Sequence, residues 1–229
     1  MRTPHLRWGL CAGLWFALAA CGSAPPLPDW QVATARAIEQ GVDAYLSGLD
    51  RVARAEFARA QTEVRRSADP DAVARVYLMR CAAQVAALDF VDCAQPPGWV
   101  DASASTQAYA RHLMAQAQPA DLALLPEAQQ GVMRREDVTA QVQALRDTPA
   151  AWSRLVAAGV LWRKGQRDPA LAQVAVDTAS AQGWSRALGQ WLVAWQAALS
   201  AAGETEGAAR AQRRLDLLLS SPAAAKPPN

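Results

Sequence analysis

From Trp30 to Ser220 the apolar positions recur every three or four residues, and no stretch sustains the in-and-out alternation of a half-buried strand. Alanine, the strongest helix former, is abundant, and Ile38 is the only isoleucine. The pattern therefore predicts helices throughout. Breaks fall at Ser47-Gly48, Asp69-Pro70, Pro96-Pro97-Gly98, Pro119, Pro126, Thr148-Pro149, Asp168-Pro169, Gly183 and Gly203. Between them lie segments of about 10 to 20 residues, ordinary helix lengths. Asp69, Thr148 and Asp168 each precede a proline, which predicts an N-cap followed by proline at the first helical position. Residues 90–102 form the one long irregular stretch, and residues 221–229 are expected to be a disordered tail. Helices joined by short loops pair as antiparallel hairpins, and hairpins in series stack as a solenoid. An irregular helical bundle with hairpin geometry is the alternative.

One segment is more specific. Gly41, Gly48, Ala53, Phe57 and Ala60 are spaced 7, 5, 4 and 3 apart. This resembles the tetratricopeptide repeat, in which small residues let two helices approach and an aromatic locks the second. The sequence departs from that repeat where Ala37 and Gln40 stand at its leading Trp and Leu, and where Arg65 replaces its closing proline. Looser echoes follow. Leu155, Gly159 and Trp162 lead into Pro169, Ala172, Val176 and Ala179; Trp184, Leu188, Trp191, Trp195 and Leu199 lead into Ala208, Ala211, Leu215 and Leu218. The resemblance implies an all-α fold, with antiparallel helical hairpins stacked as a short TPR-like α-solenoid over residues 30–220.

The first thirty residues have a different character. Arg2 and Arg7 precede an apolar run from Trp8 to Ala20, which ends in small residues. That is the layout of a cleaved secretory signal over residues 1–20. A permanent spanning helix needs about 20 apolar residues, and this run is shorter. The junction Leu18-Ala19-Ala20-Cys21 closely resembles the lipobox of bacterial lipoproteins. The resemblance implies that Cys21 is alkylated with diacylglycerol, becomes the new N-terminus and carries two or three acyl chains, enough for a durable anchor. Gly22, rather than Asp, follows the cysteine, which by the same resemblance favours the outer membrane. Residues 21–29 are then a proline-rich tether reaching roughly 25 Å at about 3.1 Å per residue.

Charge is informative only after the signal is set aside. The chain carries 23 Lys+Arg and 21 Asp+Glu. Residues 1–20 contain two arginines and no acid, so the remainder is formally neutral at 21 of each. Neutrality argues against nucleic acid, and against polybasic lipid binding, as the main role. With Cys11 discarded and Cys21 lipidated, Cys81 and Cys93 remain as an even pair. In an exported chain such a pair reads first as a disulfide. Two thiols alone do not make a closed zinc site, so no metal is expected.

Candidate chemistry is sparse. His112 is the only histidine beyond the signal and has no Cys, Asp or Glu at helical ligand spacing, so it is expected at the surface or its boundary. His-Glu-x-x-His, a P-loop and a dinucleotide glycine fingerprint are absent, and no catalytic residue or cofactor is assigned. Glu127 and Glu136, flanking Gly131 on an expected loop, are the pair a glycosidase would use. Trp184, Trp191 and Trp195 share one helical stripe, which reads as core or, in part, as an aromatic anchor for a partner. The pairs Arg65-Arg66, Arg134-Arg135 and Arg213-Arg214 read as solvated faces beside acids, or one of them as a carboxylate or peptidoglycan contact.

These readings lead to an outer-membrane-anchored, periplasm-facing lipoprotein that binds an envelope protein or peptide, without enzymatic activity. Tetratricopeptide-like lipoproteins include pilotins of surface appendages and components of outer-membrane assembly machinery, so the resemblance implies a scaffold or assembly role. The alternative is a cell-wall (peptidoglycan) remodelling enzyme or its activator.

Overall fold

The computed structural model describes residues 27–93 and 95–220. Cys21 with its lipobox, most of the tether and the tail 221–229 lie outside the described residues. Among the described residues there are ten α-helices, two short 3-10 turns and no strand. The helices are α1 Asp29–Leu46, α2 Asp50–Arg65, α3 Pro70–Ala86, α4 Ala104–Leu113, α5 Glu127–Met133, α6 Val138–Asp147, α7 Ala151–Arg163, α8 Pro169–Gln182, α9 Ser185–Ala201 and α10 Thr205–Ser220. The 3-10 turns are Trp99–Asp101 and Pro119–Leu124. No described helix is long and apolar enough to cross a membrane.

The breaks read from the sequence fall between these elements. Asp69 caps α3 by accepting from the amide of Asp71, and Asp168 caps α8 through the amides of Ala170 and Leu171. Thr148 behaves differently. It ends α6 instead of opening α7: its hydroxyl donates back to Ala144 O at 2.8 Å, and α7 starts after Ala150 without a side-chain cap. The guanidinium of Arg154 explains the exchange, because it donates to Leu145 O and Thr148 O and so satisfies the carbonyl end of α6 from the next helix.

Neighbouring helices pack as antiparallel hairpins, α1 with α2, α7 with α8 and α9 with α10, as the sequence predicts. In the first hairpin Ala53, Phe57 and Ala60 are buried, and a Cβ on buried Gly41 would lie 3.1 Å from the Phe57 ring. Small residue against aromatic is the contact that the repeat spacing implies. Gly48 serves the turn instead, where it lies exposed at φ +82°, a conformation that favours glycine.

Two helices make the centre. α7 is buried continuously from Leu155 to Trp162, and α3 buries residues on most of its faces, which explains why neither shows a one-sided stripe. They cross where Gly159 meets Val85. Trp191 of α9 completes this core, fully buried, with its Nε1–H donating to Ala86 O at 2.8 Å and its ring edge-on to Trp162. Stacking is therefore not purely sequential: α3 packs on α7, past α4 to α6. The first hairpin also meets α9. Trp184 Nε1 donates to Asp43 at 2.8 Å, the Ser185 hydroxyl donates to Ser47 O at 2.8 Å, and Arg186 pairs with Asp50 while lying over the Tyr45 ring.

Cys81 on α3 is disulfide-bonded to Cys93, with Cα atoms 6.1 Å apart, as the even cysteine count predicts. The bridge ties the irregular stretch to the core. Arg163 reinforces it from α7 by donating to Val91 O and Leu113 O, both at 3.2 Å, with Phe90 beneath its guanidinium.

Candidate functional site

On α1, residues Ala35, Ile38, Glu39, Val42 and Asp43 follow the 3–4 spacing that places them on one helical face. That face is one wall of a groove of about 820 Å³, within the size range of ligand and peptide sites. Met79 of α3 and Ala150, Ala151 and Trp152 at the start of α7 also line it. Gln182 and Trp184, which bracket the sharp turn at Gly183 between α8 and α9, close one end. Its walls are largely apolar, and Arg36, Glu39 and Gln40 stand exposed along the rim. A smaller cleft of about 230 Å³ adjoins it, sharing Ala151 and Gln182 and carrying Arg146, Arg154 and Asp177. Acidic and basic groups are mixed along this surface, so it offers orientation to a partner without a single-signed field.

The three tryptophans of the α9 stripe separate. Trp184 reaches the groove, but it is largely buried and its N–H is committed to Asp43. Trp191 is wholly in the core, which corrects its reading as a partner anchor: its N–H is consumed by Ala86 O and its ring by Trp162. Trp195 is half-buried between α9 and α10, beneath the guanidinium of Arg214. Trp152, not singled out from the sequence, is the half-buried tryptophan of the groove. Its signal was available: a tryptophan in the first turn of a helix, just after a proline break, has open space on its N-terminal side.

His112 corrects the sequence reading. It is 1% exposed, and its Nε2 lies 2.9 Å from Gln129 Oε1. Gln129 in turn donates from its Nε2 to Ser153 O at 2.9 Å. A carbonyl can only accept, so the amide oxygen faces the histidine, and His112 carries its proton on Nε2. Burial, aided by the charge of Lys164, pushes its pKa down to about 4. The ring is therefore a neutral core residue that joins α4, α5 and α7.

The two glutamates are not on a common loop. Glu127 opens α5, Gly131 is inside that helix, and Glu136 follows it in the turn before α6. The most acid-stabilised carboxylate is instead Asp121, held down to about 2 by the bidentate Arg111 guanidinium and the Gln118 amide. That pair fixes the second 3-10 turn against α4. Among the described residues no group of three or more His, Cys, Asp or Glu side chains is placed to hold a metal ion.

No protein-family model, curated protein or solved structure matches the chain.

Proposed function

We propose that this protein is a lipoprotein, anchored to the outer membrane through Cys21 and facing the periplasm, that works as an interaction scaffold in envelope or surface-appendage assembly. The observation that carries the reading is the groove along α1. It is largely apolar on its walls, charged on its rim and built from segments on four parts of the fold. Such a surface suits an extended or helical peptide, with Trp152 as the aromatic contact and Arg36 and Glu39 setting direction. The exported context, supported by the Leu18-Ala19-Ala20-Cys21 junction and the paired cysteines, makes that peptide part of an envelope protein.

Two measurements test the two halves of the proposal. Palmitate labelling in intact cells is expected for the wild-type chain and lost in Cys21→Ser; equal labelling of both removes the anchor. A photo-crosslinking residue at Gln40, exposed on the groove rim, is expected to capture one envelope protein, and Trp152→Ala is expected to abolish that adduct while the helical circular-dichroism signal persists. An adduct unaffected by Trp152→Ala, or obtained equally from exposed Ala197 on α9, would overturn the groove as the binding site.

A further inference from the structure

Formal neutrality is an average over the body, and α2 departs from it. Its buried stripe is Ala53, Phe57, Ala60 and Val64. On the opposite side Arg51, Arg54, Arg59, Arg65 and Arg66 are all exposed, separated only by Ala55, Ala58 and Thr62. At 100° per residue these eight positions fall within one half of the helix circumference, along roughly 22 Å of axis. No acid lies inside that arc. Glu56 and Glu63 flank it, partly withdrawn, and pair with Arg59 and Arg66. Asp50 is drawn away by Arg186 of α9. The side chains of Arg51, Arg54 and Arg65 make no ion pair or hydrogen bond among the described residues. Beside the stripe at its N-terminal end, Val52 is 47% exposed.

We propose that this face of α2 is a docking surface for anionic phospholipid headgroups, which lays the first hairpin flat on the membrane that holds the anchor. Charge complementarity selects the partner. Guanidinium groups pair with phosphate oxygens through two parallel hydrogen bonds. The alanines between them leave the heads free to approach a flat surface, and Val52, bordering the stripe, can enter the headgroup layer. Chain length agrees: the eight residues from Cys21 to Pro28 reach about 25 Å, and α2 is the antiparallel partner of the helix they lead into. The inference rests on the anchored reading for its setting. In that setting the groove, lined by the other side of the α1 hairpin and by α7 to α9, is oriented relative to the lipid instead of tumbling on its tether.

A fluorophore on Ala58→Cys in the full chain, compared with one on Ala197→Cys of α9, tests the surface directly. Both proteins are added to preformed vesicles containing nitroxide-headgroup lipid, either of phosphatidylcholine alone or with 30 mol% phosphatidylglycerol. Severalfold stronger quenching at position 58 is expected, only with phosphatidylglycerol, and it is expected to disappear at high salt. Arg51→Gln/Arg54→Gln/Arg65→Gln is expected to need about 100-fold more lipid for half-quenching, at about fivefold per arginine. The proposal is overturned by equal quenching at positions 58 and 197, by quenching in neutral vesicles alone, or by a triple variant that behaves as wild type. A response at position 58 to duplex DNA and none to either vesicle assigns the face to nucleic acid and also overturns it. Absent palmitate labelling in cells removes the anchor alone, since position 58 is read on protein added from solution.

Discussion

Gly159 of α7 crosses α3 so closely that a Cβ built on it would overlap Val85 O and stand 3.0 Å from a Val85 methyl. The atoms it would meet are the backbone of Val85 and its buried side chain, so neither can yield cheaply. Gly131 provides the control, because it too is helical but its Cβ would meet nothing within 4 Å. Helix propensity alone favours alanine over glycine by about 1 kcal/mol at both sites. Gly131→Ala is therefore expected to stabilise the protein by about that amount. Gly159→Ala is expected to destabilise it by about 1–3 kcal/mol or more, because steric overlap exceeds the propensity gain. Urea denaturation of the two variants checks the opposite signs, and a stabilised Gly159→Ala would refute the crossing.

Phe57 is 3% exposed and lies against Gly41. Phe57→Ala is expected to cost about 3–5 kcal/mol through the cavity it leaves between α1 and α2. Hydrogen exchange should locate the loss mainly in that hairpin and in α3, which packs on it.

His112 makes stability depend on pH in a defined window. Its folded pKa of about 4 lies below the ordinary histidine value of 6.5, so the unfolded chain takes up the proton first. The neutral ring contributes fully above about pH 6.5, and stability is lost progressively as pH falls from there to 4. The full difference is about 3 kcal/mol. The measurement is the unfolding free energy of wild type and His112→Gln between pH 7 and 4. The gap between the two is expected to narrow as the solution becomes acidic; parallel curves would mean that the histidine is not held neutral.

The Cys81–Cys93 bridge closes a short loop, separation 12 in sequence. Replacing both cysteines with alanine is expected to lower stability by about 3 kcal/mol on the loop-entropy account. Increased proteolysis should centre on residues 88–103, because that stretch then loses its covalent tie to α3. Non-reducing peptide mapping checks the pairing, and two free thiols would exclude it.

Local signals accounted for most of the fold. Prolines and glycines marked the element boundaries, Asp69 and Asp168 announced helix starts, and the spacing of Gly41, Ala53, Phe57 and Ala60 gave the first hairpin. Failures came where a residue's role is decided by a partner remote in sequence. Thr148 looks like an N-cap until Arg154 supplies the carbonyl end of α6 with donors. His112 looks polar and peripheral until Gln129 satisfies it in the core. The groove was illegible for the same reason: α1 and the segment from Ala150 to Trp184 have no local sign of meeting. Net charge is silent on another feature, because a sum over the chain erases the sidedness of α2.

The junction of Trp184, Ser185 and Arg186 with the turn after α1 bears on how the chain is made. A linear stack can fray from a free end and grow one unit at a time. Here the first-synthesised hairpin stays incompletely docked until residues more than 130 positions later emerge and seal against it. During synthesis the part of α1 that meets α9 must wait, exposed, for that late segment, although its contacts with α2 and α3 can form early. Once sealed, the first hairpin cannot peel away alone, so α1 to α9 are expected to unfold as one cooperative event, while α10, packed on α9, is free to fray first.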